Sequence, residues 1–185
     1  MPGAAIAGLP SPQPGTTLGA MEGLIREQKH RLPPECYRGR VVCSFTIDTK
    51  HRTPFFADPR NVEVAGIALA EAFVRYHGHA GVYLFMPDHI HLILSGSGPE
   101  ADLLAMVTVF KQKTAFRVHQ EGRTFTWQKD FYDHIIRADE DYGAQVRYIL
   151  RNPVRAGLCA HWEHWPHKGT LGQTWQDLAL NIGSL

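Results

Sequence analysis

The chain has 185 residues, 44% hydrophobic and 20% charged, which fits one globular domain with a real core and excludes collagen, coiled coil and general disorder. A formal net charge of +1 does not by itself announce a polyanionic partner, so any such role has to come from local clusters. No apolar run approaches the roughly 20 residues that cross a bilayer, the three cysteines show no CxxC spacing, and the N-terminal stretch lacks a secretory pattern; a cytoplasmic protein with reduced thiols and no membrane partner is expected.

Residues 1–20 carry Pro, Gly, Ala and small polar side chains and no basic or acidic ones. Such a segment cannot offset its ordering entropy and is expected to be disordered, with Met21 as an alternative start. The domain is expected over 21–167, followed by an irregular tail at 168–185. "VVCSFTI" from Val41 reads as a strand. "RNVEVAGIALAEAFVRYHG" predicts a helix with Val64, Ile67, Ala68 and Ala72 inward and Gly78 as its stop. "AGVYLFMPDHIHLILSG" predicts a hairpin turning at Pro87–Asp88. A second helix runs through "ADLLAMVTVFKQKTAFRVHQEG" to Gly122. A fourth strand is expected at Phe131–Arg137, and Asp139 is expected to cap a third helix through Tyr148 to about Arg151. The order predicts an α+β fold: a ferredoxin-like βαββαβ antiparallel sheet with helices on one face, plus a C-terminal helix.

Strand alternation puts His89, His91 and Ile93 on one face and Ile90, Leu92 and Leu94 on the other, where the aliphatic set belongs to the core. Two imidazoles side by side on a strand are either a satisfied, half-exposed pair or a clamp for one metal ion. "HGH" at His77–His79 straddles a glycine at a helix end and reads as a turn. "HWEHWPH" (His161, His164, His167) is a weaker cluster, next to Pro166.

In "DYGAQVRYILRNPVRAGL", helical spacing collects Tyr142, Val146, Ile149 and Leu150 on one side. Tyr148 falls off that side, in a polar stripe with Asp141, Gln145 and Asn152. A tyrosine packed only as filler belongs on the apolar side. Asn152 before Pro153 suits a cap, and an amide oxygen also ligates hard divalent ions. The basic runs "IREQKHRLPPECYRGR", "FKQKTAFRVH" and "RYILRNPVR" are either solvated faces or phosphate-attracting patches.

"MPDHIHLIL" and "YILRNPVRAGL" together, with "FKQKTAF" and "WQKDFYDHIIR" between them, resemble the single-tyrosine HUH transposases, and within them the REP-associated tyrosine transposases of bacteria. The resemblance runs from about Leu32 to Trp165. It implies the HUH endonuclease fold, with Tyr148 as nucleophile on the C-terminal helix and His89, His91 and Asn152 as ligands of Mg²⁺ or Mn²⁺. The implied activity is nicking and strand transfer on single-stranded DNA carrying a REP-like hairpin, through a 5′-phosphotyrosine, by a monomer or homodimer in the bacterial nucleoid. Candidate DNA contacts are Arg147, Arg151 and Arg155 beside the nucleophile, Lys111, Lys113 and Arg117 as a second basic row, and Tyr37, Arg38 and Arg40 ahead of the first strand. Gln145 and His134 are candidates to support the ligands from behind, with a core or edge role as the alternative for His134. A non-cleaving hairpin-binding protein and a replication-initiator-like nickase remain as other readings. The initiators typically carry a lysine where this chain has Asn152, and no HExxH zinc-hydrolase pattern is present.

Overall fold

In the computed structural model, which describes residues 31–182, five strands form one antiparallel sheet in the order β4-β1-β3-β2-β5. The expectations for residues 1–20 and for Met21 lie outside the described residues. Strand β1 (Val42–Asp48) buries Cys43, Phe45 and Ile47 and turns Val42, Ser44, Thr46 and Asp48 to the other side. Helix α1 (Pro59–Tyr76) starts where Asp58 Oδ1 accepts the Arg60 N–H at 3.0 Å and proline takes the first helical position, the arrangement that satisfies an orphan donor and presets φ. β2 (Gly78–Met86) and β3 (His89–Gly96) form the expected hairpin, separated by Pro87 and Asp88 alone. Helix α2 (Leu103–Gln120) begins at Asp102, which accepts from Ala105 N at 2.9 Å. β4 (Tyr132–Ile135), helix α3 (Tyr142–Leu150) and the single turn α4 (Asn152–Arg155) follow.

The βαββαβ order and its antiparallel sheet are as expected, and the sheet carries helices on both sides. On one side Phe45, Ile47, Ile90, Leu92 and Leu94 pack with Leu69, Phe73, Met106 and Phe110 of α1 and α2. On the other, Val82, Leu84 and Ile93 pack with Val146, Ile149 and Leu150 of α3. Ile93, on the histidine face, is therefore core as well.

Several boundaries differ from expectation. In α1 the buried stripe is Ala65, Ala68, Leu69, Ala72 and Phe73, and Ile67 is 45% exposed; an Ala/Val/Ile-rich helix offers two overlapping apolar stripes, and tertiary contact chooses. The left-handed stop is His77 (φ 52), and Gly78 and His79 already belong to β2. β4 is shorter than Phe131–Arg137, and the cap of α3 is Asp141, whose Oδ1 accepts from Ala144 N at 2.9 Å, not Asp139.

Over residues 168–182 the C-terminal segment is not the irregular tail expected. β5 (Lys168–Leu171) pairs with the edge of β2, and helix α5 (Trp175–Ile182) buries Leu178 completely beside α3. Gly169 is needed there, since a Cβ at that position would stand 2.3 Å from the Tyr83 hydroxyl. Cys36, Cys43 and Cys159 are free thiols. Among the described residues no helix is long and apolar enough to cross a membrane.

Candidate active site

The β1–β3 register sets His91 opposite Thr46 and His89 opposite Asp48. Paired residues on neighbouring strands point to the same face, so all four side chains meet on the α3 side of the sheet. The two rings stand nearly perpendicular, at 89°, with Nε2 of His89 and Nε2 of His91 3.0 Å apart. Each ring is held from behind. His89 Nδ1–H donates to Asp88 Oδ1 at 2.6 Å, and His91 Nδ1 lies 3.0 Å from the Thr46 hydroxyl. A carboxylate only accepts, so it fixes the His89 proton on Nδ1 and leaves Nε2 bare. A hydroxyl both donates and accepts, so His91 is able to give an Nε2–H to His89 or turn a bare Nε2 toward a cation. Arg52 closes the network, with Nε 2.8 Å from Asp88 Oδ2 and its terminal nitrogen on Asp48.

Burial pulls the His91 pKa down to about 3, with the charges of His89, Arg52 and Arg155 acting in the same direction. Burial also lowers the His89 pKa, against the opposing pull of its bond to Asp88. Neutral imidazoles are the form a metal needs. Bare nitrogens 3.0 Å apart subtend about 90° at an ion roughly 2.1 Å from each, the angle between neighbouring ligands of an octahedral cation. The donor set therefore fits a divalent ion. Among the described residues, no cluster of three or more His, Cys, Asp and Glu is arranged for a metal, so a further protein ligand would have to be of another kind, such as an amide.

Tyr148 lies on α3, half-buried, while its neighbours Ile149 and Leu150 are buried against the sheet. The Arg155 guanidinium sits over its ring, 4.9 Å from the centroid. Asn152 is not the N-cap of the turn at Pro153, a position that falls to Arg151 with no side-chain cap bond; its Nδ2 instead donates to the carbonyls of Tyr148 and Ile149 at the end of α3, both at 3.1 Å. That fixes the amide's direction, nitrogen toward the helix end and oxygen away from it.

The remaining candidates are scattered. Lys111, Lys113 and Arg117 lie on α2, across the sheet from the histidines. Lys111 bonds the carbonyls of Gln128 (2.8 Å) and Lys129 (3.1 Å), and Lys113 (2.5 Å) and Arg117 share Glu71. Tyr37 is wholly buried with its hydroxyl on Asp133, so it is a core residue and not a surface contact. Arg38 pairs with Asp102 at 3.2 Å and Arg40 is exposed. Arg147 donates to the Ile182 carbonyl at 3.1 Å, tying α3 to α5. Arg151 is exposed and Gln145 half-exposed on α3. His134 shares the histidine face but sits across β1, bonded to Glu140 at 2.6 Å. Sequence reasoning missed Thr46, Asp48 and Arg52, which only strand register and loop geometry reveal; Asp88 stood directly before His89 in "PDHIH".

No protein-family model matches the chain. It is 33% identical to a Haemophilus influenzae protein assigned to the REP-associated tyrosine transposases, over 44% of this chain and 53% of that protein. It is 30% identical to the REP-associated tyrosine transposase of Escherichia coli K12, over 45% and 49%. The chain thus spans about half the length of the curated relatives it matches. In fold it superposes on a REP-associated tyrosine transposase solved bound to a REP hairpin, with a TM-score of 0.67, 21% identity, and coverage of 84% of this chain and 88% of that one. In sequence over that half and in fold over most of its length, this chain is similar to the REP-associated tyrosine transposases.

Proposed function

We propose that this protein nicks single-stranded DNA beside hairpin repeats and rejoins the strand, through a covalent 5′-phosphotyrosine on Tyr148. The observation that carries the reading is the pair of imidazole nitrogens converging at 3.0 Å on the sheet face that packs the Tyr148 helix. His89 Nε2, His91 Nε2 and the Asn152 amide oxygen would hold Mg²⁺ or Mn²⁺; the imidazole pair leans toward Mn²⁺. What the bound ion supplies is neutralisation of the phosphate oxygens, whose charge otherwise repels a nucleophile.

The protein's own groups do the rest. The Tyr148 oxygen attacks phosphorus, its proton passes to water, and the bond from phosphorus to the 3′-oxygen breaks. The 3′-oxygen leaves with a proton, and the 5′-phosphate stays on the tyrosine. Arg155, stacked on that ring, orients the phenol and offers its guanidinium to a phosphate oxygen. Because a phosphodiester is exchanged for a phosphodiester, a second 3′-hydroxyl reverses the step and joins strands. Arg151 and Arg155, with Arg38 and Arg40 at a distance, would track the DNA backbone. A hairpin as partner follows the solved relative, which is described as bound to one.

The test incubates labelled single-stranded hairpin oligonucleotides with the protein, with and without Mn²⁺, and resolves the products under denaturing conditions. A metal-dependent protein–DNA adduct is expected, absent in Tyr148→Phe and His91→Ala. Tight hairpin binding with no adduct from the unmodified protein would refute cleavage and leave a hairpin-binding protein.

A further inference from the structure

We propose that the cavity beside the Pro87–Asp88 turn is a nucleotide subsite, taking one unpaired base of the substrate strand on the Phe55 ring and that nucleotide's phosphate on Lys50. The inference rests on the reading that single-stranded DNA is cut at the histidine pair.

The cavity is about 440 Å³, a size that suits a small ligand or one residue of a larger one. Its apolar part is aromatic. Phe55, half-buried, lies nearly parallel to the buried Phe125, with ring centroids 3.9 Å apart and planes at 25°. A ring backed by a second ring offers a flat, stiff surface of the kind on which unpaired bases stack. The rim is polar: Lys50, His51, Thr124 and Thr126 line it, all exposed, and none of the lining residues is acidic. Neither the Lys50 ammonium nor the His51 ring makes a hydrogen bond or ion pair among the described residues, whereas Lys113 and Arg117 already share a carboxylate. A purely apolar ligand would leave Lys50 unused, and a bare phosphate would leave the rings unused. A nucleotide uses both, with the threonine hydroxyls within the same rim for the edge of its base.

The loop that walls the cavity is stitched to the turn before His89. Thr49 N–H donates to the Asp88 carbonyl at 3.0 Å and Phe56 N–H to the Pro87 carbonyl at 2.8 Å, while Lys50 N–H donates to the Thr126 carbonyl at 2.9 Å and joins the two walls. Within this loop His51 and Arg52 are consecutive non-glycine residues with φ of 58° and 55°, a left-handed conformation that L residues adopt rarely and seldom in succession. The strained pair divides its side chains between two tasks. Arg52 bonds Asp88 and Asp48 in the network behind His89, and His51 lines the cavity. One short loop therefore serves both places, which puts the subsite a few nucleotides along the strand from a phosphate held at the histidines.

The test measures equilibrium binding of hairpin oligonucleotides with and without single-stranded thymidine flanks, in the absence of metal so that no strand is cut. It is repeated with each flank base in turn replaced by an abasic site. The unmodified protein is expected to bind the flanked hairpin more tightly than the bare one, and to lose about tenfold at one abasic position. Phe55→Leu is expected to lose about as much on the intact flank and to be indifferent to that abasic position. Lys50→Gln changes an exposed side chain without a bond to lose, so it serves if Phe55→Leu folds poorly. It is expected to weaken flank binding and to lower the slope of log affinity against log salt by roughly 0.7, the share of one phosphate on a single strand. A folded Phe55→Leu that responds to the abasic positions as the unmodified protein does would overturn the subsite, as would a flank in which no single base matters or an unchanged salt slope in Lys50→Gln. A flank that adds no affinity for the unmodified protein would refute the single-strand reading itself, and the subsite would fall with it.

Discussion

On the α1–α2 side of the sheet, each cation singled out in the sequence has an oxygen to meet it: Lys113 and Arg117 share Glu71, and Lys111 bonds two carbonyls. On the α3 side two imidazole nitrogens face each other at 3.0 Å, with a cation stacked on the tyrosine nearby. The first arrangement is complete as it stands. The second would be completed by a cation held between the nitrogens. A basic run in the sequence does not show that its charges are already met; the structure does.

The comparison breaks most sharply at Tyr148. Tyr148→Phe is expected to abolish adduct formation, a loss of at least about a thousandfold as for other covalent nucleophiles, while hairpin affinity changes less than about threefold. Glu71→Gln on the opposite side should leave the adduct yield unchanged.

Thr46→Val removes the hydroxyl behind His91. Outer partners of metal-bound imidazoles matter by about 10- to 100-fold in metal affinity, and titration with Mn²⁺ should show a loss in that range without loss of fold.

The pH response is the next sharpest. For two ordinary histidines with pKa about 6.5, lowering pH from 7.5 to 5.5 would cost about a hundredfold in metal affinity through protonation. Here burial holds His91 at about 3, so it stays neutral, and lowers His89 from its usual value. Mn²⁺ affinity should fall by less than about tenfold over that range, the cost of one ordinary histidine. The same depression has a folding consequence. The unfolded chain takes up the His91 proton first, so this residue's support is fully present above about pH 6.5 and is lost as pH falls toward 3.

The smallest effect concerns Tyr37. Tyr37→Phe removes a donor from the buried Asp133 carboxylate and should cost about 1–3 kcal/mol in denaturant unfolding. Hairpin affinity per folded molecule should not change. A selective loss of DNA binding would return Tyr37 to the interface.

How much of this was legible in the sequence depends on the range of the interaction that decides each feature. Strand alternation is local, so Ile90, Leu92 and Leu94 read as core and His89 and His91 as a shared face, as found. Helical phase is local too, which separates Tyr148 from Val146, Ile149 and Leu150. The Pro87–Asp88 turn announced itself. Thr46 and Asp48 became visible only through the β1–β3 register, which is set 40 residues away in the chain. β5 is four residues long, with a glycine fitted to Tyr83, too short for any periodicity to show. Tyr37 preceded a strand among arginines and looked like surface, because its partner Asp133 is distant in sequence.

The most direct test of the account is to digest the trapped adduct and find by mass spectrometry which of the six tyrosines carries the nucleotide. The account predicts a 5′-phosphonucleotide on the peptide containing Tyr148, formed with Mn²⁺ and lost in His91→Ala. A nucleotide on another tyrosine, or an adduct at Tyr148 that survives His91→Ala undiminished, would contradict it.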